Sequence, residues 1–174
     1  MSVYAALLRA IGPATHGKMR PSALAERAAA AGLGRPLSYL ATGNLIFASR
    51  KGAAAVRREI EALVAGFGLA GLGVFIITTA ELEALVAANP FAAAAWERPA
   101  RLCLALFHAP CDWPAALLRP SSGARVAAIG RALIIDYGPG EALPALPIER
   151  LAGAPMTQRN WTTILGVLAR MRAH

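Results

Sequence analysis

Cysteine, histidine and aspartate are all scarce in this 174-residue chain, and each shortage removes a class of function. The two cysteines, Cys103 and Cys111, form no C-x-x-C pair, so neither a zinc ribbon nor a thioredoxin-type motif is supported. Cys103 lies in the apolar run Leu102–Phe107 and reads as a small buried hydrophobe. His108 with Cys111 makes half of a metal site and no second pair of ligands follows, so neither a metal nor a cofactor is expected. The three histidines, His16, His108 and His174, have no serine or acid at triad spacing, and G-x-S-x-G is absent. Asp112 and Asp136 are the only aspartates, and nothing promotes paired-carboxylate catalysis. No stretch of about 18 residues runs free of charge, Pro and Gly, so no spanning helix is expected despite a mean hydropathy of +0.47. Residues 1–11 carry no basic stretch ahead of an apolar run and enter a strand pattern directly, unlike a signal peptide. The expectation is a cytoplasmic protein with no membrane partner.

What is abundant is apolar and positive. Apolar residues make up 56% of the chain against 16% charged, which excludes disorder and implies extensive burial. Eighteen Lys and Arg against ten acids give a net charge of +8, which favours phosphate-bearing partners. All but Lys18 and Lys51 of those cations are arginines. They are scattered from Arg9 to Arg172, clustering only at Arg50-Lys51 and Arg57-Arg58, and a solvated surface explains such scatter equally well.

The element pattern runs strand, helix, strand, strand, helix, strand. Val3–Leu8 is a buried strand, Pro21 opens a helix closed by Gly32, and Val56, Ile60, Leu63, Val64 and Phe67 recur at helical spacing before the strand Val74–Ile77. Between the helices, residues 37–49 place two apolar runs around Thr42-Gly43-Asn44 and read as a tight β-hairpin. Thr78 and Glu81 form a capping box for a third helix, which Asn89-Pro90 ends.

The second half echoes the first. Arg101–Phe107 is a strand, Asp112 is positioned to cap the helix Pro114–Leu118, and Arg125–Ile129 and Ala132–Asp136 flank Gly130-Arg131 as a hairpin. Thr157 then caps a final helix with Trp161, Ile164, Leu165 and Leu168 on one face, and no closing strand is evident. The expected fold is α+β: two ferredoxin-like (βαββαβ-type) subdomains with mainly antiparallel sheets, the second degenerate. They are expected at residues 1–91 and 100–174, joined by a linker at 92–99.

Two constellations suggest chemistry. Gly12-Pro13-Ala14-Thr15-His16-Gly17-Lys18-Met19 has P-loop spacing between a strand and a helix, but Met19 stands where a hydroxyl must ligate Mg²⁺. A looser anion loop, using Lys18 and the start of the first helix, is the surviving form, against a plain connection. Thr157–Thr163 puts Arg159, Asn160 and Trp161 at a helix start, where unpaired N–H groups and a guanidinium suit phosphate or carboxylate. Its structural alternative has Thr157 capping, Trp161 in the core and Arg159 solvated or paired to Glu149. For RNA stacking on the sheet, Tyr4, Tyr39 and Phe47 are the aromatic candidates, with no RNP-type sequence around them.

Tyr4-Ala5-Ala6-Leu7-Leu8-Arg9, Tyr39-Leu40-Ala41-Thr42-Gly43-Asn44, Ala88-Asn89-Pro90-Phe91 and Thr157-Gln158-Arg159-Asn160-Trp161-Thr162-Thr163 occur in that order. This series resembles the bacterial domain-of-unknown-function 1697 family over essentially the whole chain. Departures fall at Ala10 and Gly12, where the family usually has Gly and Asn, and at Thr42, where it has Ser. The resemblance implies two ferredoxin-like subdomains and no established reaction. It points to Arg9, Lys18, Tyr39, Thr42, Asn44, Arg159, Asn160 and Trp161.

The leading functional expectation is binding of a nucleotide, another phosphate-bearing molecule or single-stranded nucleic acid. Arg9, Lys18 and Arg159 would supply charge, Thr42 and Asn44 hydrogen bonds, and Tyr39 or Trp161 a stacking face. The alternatives are an enzyme of small-molecule chemistry with a pocket between the subdomains, and a purely structural use of Asn44, Arg159 and Asn160.

Overall fold

β1 (Ser2–Leu8) organises the first half because it is paired on both sides. The computed structural model describes residues 1–9, 11, 12, 15 and 17–174. β1 runs antiparallel to β3 (Asn44–Ser49), with Tyr4 opposite Phe47, and to β4 (Val74–Thr78), with Ala6 opposite Ile76. β2 (Gly34–Tyr39) forms the edge beside β3, giving the order β2-β3-β1-β4. The helices α1 (Pro21–Ala30) and α2 (Ala53–Ala65) fill the two crossovers, so the order is strand, helix, strand, strand, helix, strand.

Alternation decides what the helices cover. Tyr4, Ala6 and Leu8 of β1, Leu45 and Phe47 of β3, and Val74 and Ile76 of β4 share one core with Leu24 of α1 and Val56, Ile60 and Val64 of α2. Each fully buried Leu, Ile or Phe here contributes about 1.5–3 kcal/mol of hydrophobic stabilisation. Pro21 occupies the first turn of α1, where its missing N–H is not needed. Thr78 and Glu81 form the capping box: the Thr78 N–H donates to Glu81 Oε2 at 2.9 Å, and the Glu81 N–H to Thr78 Oγ1 at 3.2 Å. They open α3 (Thr79–Ala87).

The second half repeats the order in full: β5 (Leu102–Phe107), α5 (Ala115–Leu118), β6 (Arg125–Ile129), β7 (Ala132–Asp136), α6 (Ile148–Ala152) and β8 (Met156–Asn160). Its sheet is antiparallel with the order β6-β7-β5-β8, so β5 takes the central place that β1 has in the first. This unit is therefore complete rather than degenerate. The closing strand is β8, whose polar sequence Met156-Thr157-Gln158-Arg159-Asn160 gives no apolar alternation to read. Pairing with β5, Leu106 opposite Thr157 and Leu104 opposite Arg159, makes it a strand.

Three local expectations change. Thr157 is a buried strand residue, and Asn160 caps the final helix α7 (Trp161–Arg172), its Oδ1 accepting the Thr163 N–H at 2.9 Å. Asp112 does not cap α5; Pro114 stands at that position with no side-chain cap. Residues 92–99 contain a helix, α4 (Ala92–Glu97). Contacts divide the chain into one unit of Met1–Glu83 with Gly166–His174 and a second of Ala84–Leu165, so both boundaries fall inside helices, α3 and α7. Pro13, Ala14 and His16 of the P-loop-like stretch lie outside the described residues. Among the described residues, no helix is long and apolar enough to cross a membrane.

Candidate functional site

At the hairpin tip the sequence places Tyr39, Thr42, Gly43 and Asn44 within six residues, and the fold turns them on one another. Leu40–Gly43 connect the paired residues Tyr39 and Asn44. Gly43 has φ +79°, and a Cβ there would meet Ile11 Cγ1 at 2.5 Å and Leu8 Cβ at 3.0 Å, so only glycine fits. Asn44 is 2% exposed, and its Nδ2 donates to Tyr39 O at 2.9 Å and to Thr42 Oγ1 at 3.1 Å. That amide thus fastens the turn that presents it. The Tyr39 ring has the Arg170 guanidinium carbon 3.7 Å from its centroid. A Cβ on Gly166 of α7 would come within 2.7 and 2.8 Å of its Cζ and Cε1. One face of Tyr39 is therefore already covered within its own unit.

Of the other sheet aromatics, Tyr4 and Phe47 are 5% and 0% exposed and stack on each other at 5.9 Å. The Tyr4 hydroxyl donates to Lys51 O. Neither presents a face to a base, so the sheet-stacking mode for RNA fails here.

Arg9 follows β1 directly. Its N–H donates to Gly73 O at 2.8 Å, while the N–H of Leu8 donates to Gly43 O at 2.8 Å, so the strand end is held between the hairpin tip and the Gly68–Gly73 loop. Arg9, Thr15 and residues 68–73 line a groove of about 320 Å³. Gly68 and Gly71 have φ +75° and +82°, and a Cβ on either would meet nothing within 4 Å, so the loop backbone stays open to approach. The side chain of Arg9 runs past Gly73, whose added Cβ would lie 3.4 and 3.6 Å from Arg9 Cβ and Cδ. Thr15 Oγ1 accepts the Gly12 N–H and donates to Gly12 O, so that hydroxyl is committed to Gly12. Arg9 is the sole charged lining residue among the described ones. Lys18 is exposed and its N–H donates to Thr15 O, which ties it to the same loop without placing it in the lining.

Arg159, Asn160 and Trp161 belong to the other unit. Arg159 is a strand residue; its Nη1 donates to Thr157 Oγ1 at 3.0 Å and to Gln158 O at 2.8 Å, and burial pushes the guanidinium down to about 10. Asn160 spends its carbonyl on the α7 cap. Trp161 is 3% exposed, with its N–H donating to Pro99 O at 3.1 Å, so it is core and offers no stacking face.

The strongest electrostatic feature lies elsewhere in this unit. Asp136, at the end of β7, has a side chain with no solvent exposure. Its Oδ1 accepts Arg98 Nε and the Gly138 N–H, each at 3.0 Å. Its Oδ2 accepts Arg98 Nη2 at 2.7 Å and Arg125 Nε and Nη2 at 3.1 and 2.5 Å. The Arg98 hydrogen bonds above all, and then those from Arg125, hold the carboxyl far below the usual carboxylate range despite its burial. Arg125 also lies over the Phe91 ring, 4.8 Å from its centroid. In the sequence Asp136 only ends a strand pattern; Arg98 is 38 positions away and no spacing rule links the two. Trp96, 89% exposed on α4, lies in a segment whose sequence reads as a connection.

Comparison with known proteins agrees with this architecture. The model of the family described as protein of unknown function (DUF1697) matches residues 1–131, and the chain belongs to that family. A solved structure, that of a conserved bacterial protein from Streptococcus pneumoniae, is similar with a TM-score of 0.69 at 19% identity over 98% of each chain, a likeness of fold. No curated protein matches.

Proposed function

We propose that this member of the DUF1697 family binds a small phosphate-bearing ligand in the groove beside Arg9. The observation that carries the reading is the lining: one guanidinium, an open glycine-rich backbone and no acid among the described residues. Local charge supports it. The unit of Met1–Glu83 and Gly166–His174 holds eleven of the eighteen Lys and Arg but five of the ten acids, so six of the eight net positive charges belong to it. A groove of about 320 Å³ is at the small end of ligand sites, the size for a phosphate ester more than for a large nucleotide. We place the protein in the cytoplasm, in keeping with its two free thiols.

Calorimetric titration with glycerol phosphate, pyrophosphate and inorganic phosphate at low and moderate salt tests the reading. A hydrogen bond to a charged group is worth about 1.5–3 kcal/mol, so Arg9→Gln weakens binding by about 10- to 150-fold. Arg50→Gln, at an exposed arginine outside the lining, leaves it unchanged. Equal losses in both variants would reduce the effect to diffuse charge, and no loss in Arg9→Gln would remove the groove from consideration.

A further inference from the structure

The loop after α2 leaves main-chain donors without a protein acceptor. The helix itself is closed: the carbonyls of Ala62, Val64 and Ala65 accept the N–H groups of Gly66, Phe67 and Gly68. Leu69–Leu72 then form a four-residue turn, in which the Leu72 N–H donates to Leu69 O at 3.3 Å. Gly71 has φ +82° and Ala70 a negative φ, the signs that a type II turn takes at its two central positions. Among the described residues, the N–H groups of Leu69, Ala70, Gly71 and Gly73 have no protein acceptor. A main-chain N–H left in that state is met by water or by a ligand.

Side chains do little to cover this backbone. Leu69 and Leu72 are half-buried and pack against the core of their own unit, and Gly68, Gly71 and Gly73 have no side chain at all. Arg9 runs alongside Gly73 and lines the same groove as residues 68–73. With the Thr15 hydroxyl committed to Gly12, the donors left in the described lining are one guanidinium and the main-chain N–H groups. The number of oxygens decides which anion suits such a set. A guanidinium fork meets two oxygens at once. A carboxylate offers two oxygens and one charge, and so does a phosphodiester. A phosphate monoester offers three oxygens and carries about two charges at pH 8. Its third oxygen lies beyond a bidentate fork, and loop N–H groups are the donors at hand for it.

Resting on the groove reading above, we propose that the site selects the dianionic end of a phosphate monoester over a phosphodiester or a carboxylate, with Arg9 on two of its oxygens and main-chain N–H groups of residues 69–73 on the third. The backbone of a nucleic acid, built of diesters, is then a poor ligand for this groove.

The test is calorimetric titration with methyl phosphate, dimethyl phosphate and acetate at pH 8 and constant ionic strength, on wild type, Ala70→Pro, Ala70→Gly and Arg9→Gln. Ala70→Pro removes one main-chain donor and keeps the turn, because proline is common at that position and needs the negative φ that Ala70 already has, so Tm is held or raised. Ala70→Gly keeps the N–H. The expected result is that methyl phosphate binds wild type about 10- to 150-fold more tightly than either other anion, the worth of one further charge-assisted hydrogen bond. Ala70→Pro loses most of that lead and Ala70→Gly retains it. Equal affinity for methyl and dimethyl phosphate in wild type overturns the inference, as does unchanged methyl phosphate binding in Ala70→Pro. In either case the groove reading stands so long as Arg9→Gln still weakens binding. A lowered Tm in Ala70→Pro would show that the turn is lost, and the wild-type preference between monoester and diester then decides alone. Absence of binding, or binding that Arg9→Gln leaves unchanged, removes the groove itself and this inference with it.

Discussion

Replacing Asp136 with asparagine isolates what the buried carboxylate contributes. The shapes match, so packing is kept. Oδ1 can still accept Arg98 Nε and the Gly138 N–H, but the amide NH₂ placed at Oδ2 then faces three donors, one from Arg98 and two from Arg125. Removing one partner of a buried ion pair typically costs about 3–5 kcal/mol. Arg125 is half exposed and can turn to water, which brings the expectation to the lower end, about 3 kcal/mol. For a chain of this size that is a fall of roughly 6–12 °C in Tm. The pH dependence supplies an independent check. The folded carboxyl titrates below its unfolded value, near 3.9, so the stabilisation is fully present above that pH and drains as pH falls through the depressed folded value. The gap between wild type and Asp136→Asn should narrow by about 1 kcal/mol between pH 7 and pH 3. Urea denaturation across that range measures it. A gap near zero at pH 7, or one that does not narrow in acid, would refute the assignment of Asp136 as an ionised hub.

Gly166→Ala should destabilise, although Gly→Ala inside a helix ordinarily gains about 1 kcal/mol, because the new methyl meets the Tyr39 ring and overpacking costs about 1–3 kcal/mol. A double-mutant cycle with Tyr39→Ala checks this, since the same change should stabilise once the ring is gone. Asn44→Ala removes two donated hydrogen bonds at a buried site and should cost about 1–3 kcal/mol in chemical denaturation, with strand register at the hairpin loosened in amide exchange. Burial pushes the Cys103 thiol up to about 11, so an aromatic disulfide reagent at pH 8 should titrate Cys111 quickly and Cys103 only on unfolding. Rapid labelling of both would show that the β5 core opens freely.

Most of the first unit is legible in the sequence. β1, β3 and β4 are apolar runs, the helices repeat at 3.6 residues, and Pro21, Gly43, Thr78 and Glu81 punctuate the chain with residues whose backbone chemistry is local, whereas β2 opens with Gly34, Arg35 and Pro36, which show no such run. Local chemistry is legible because cause and effect lie within a few positions. The same holds for Cys103, whose neighbours in β5 already bury it.

Tertiary structure decided the rest wherever the cause lies far along the chain. Met156–Asn160 is a strand because β5 offers it hydrogen bonds, since its own residues show no strand period. That pairing moved the helix cap from Thr157 to Asn160 and drew Arg159 and Trp161 away from an exposed helix start, one into a strand and one into the core. Asn44 reads equally well in sequence as a ligand donor or a turn clasp, and only its burial distinguishes them. Arg98, Arg125 and Asp136 meet across 38 and 11 positions through the β6–β7 register and the docking of α4. An ion pair depends on distance in space, and until the sheets form nothing in the order of residues sets that distance.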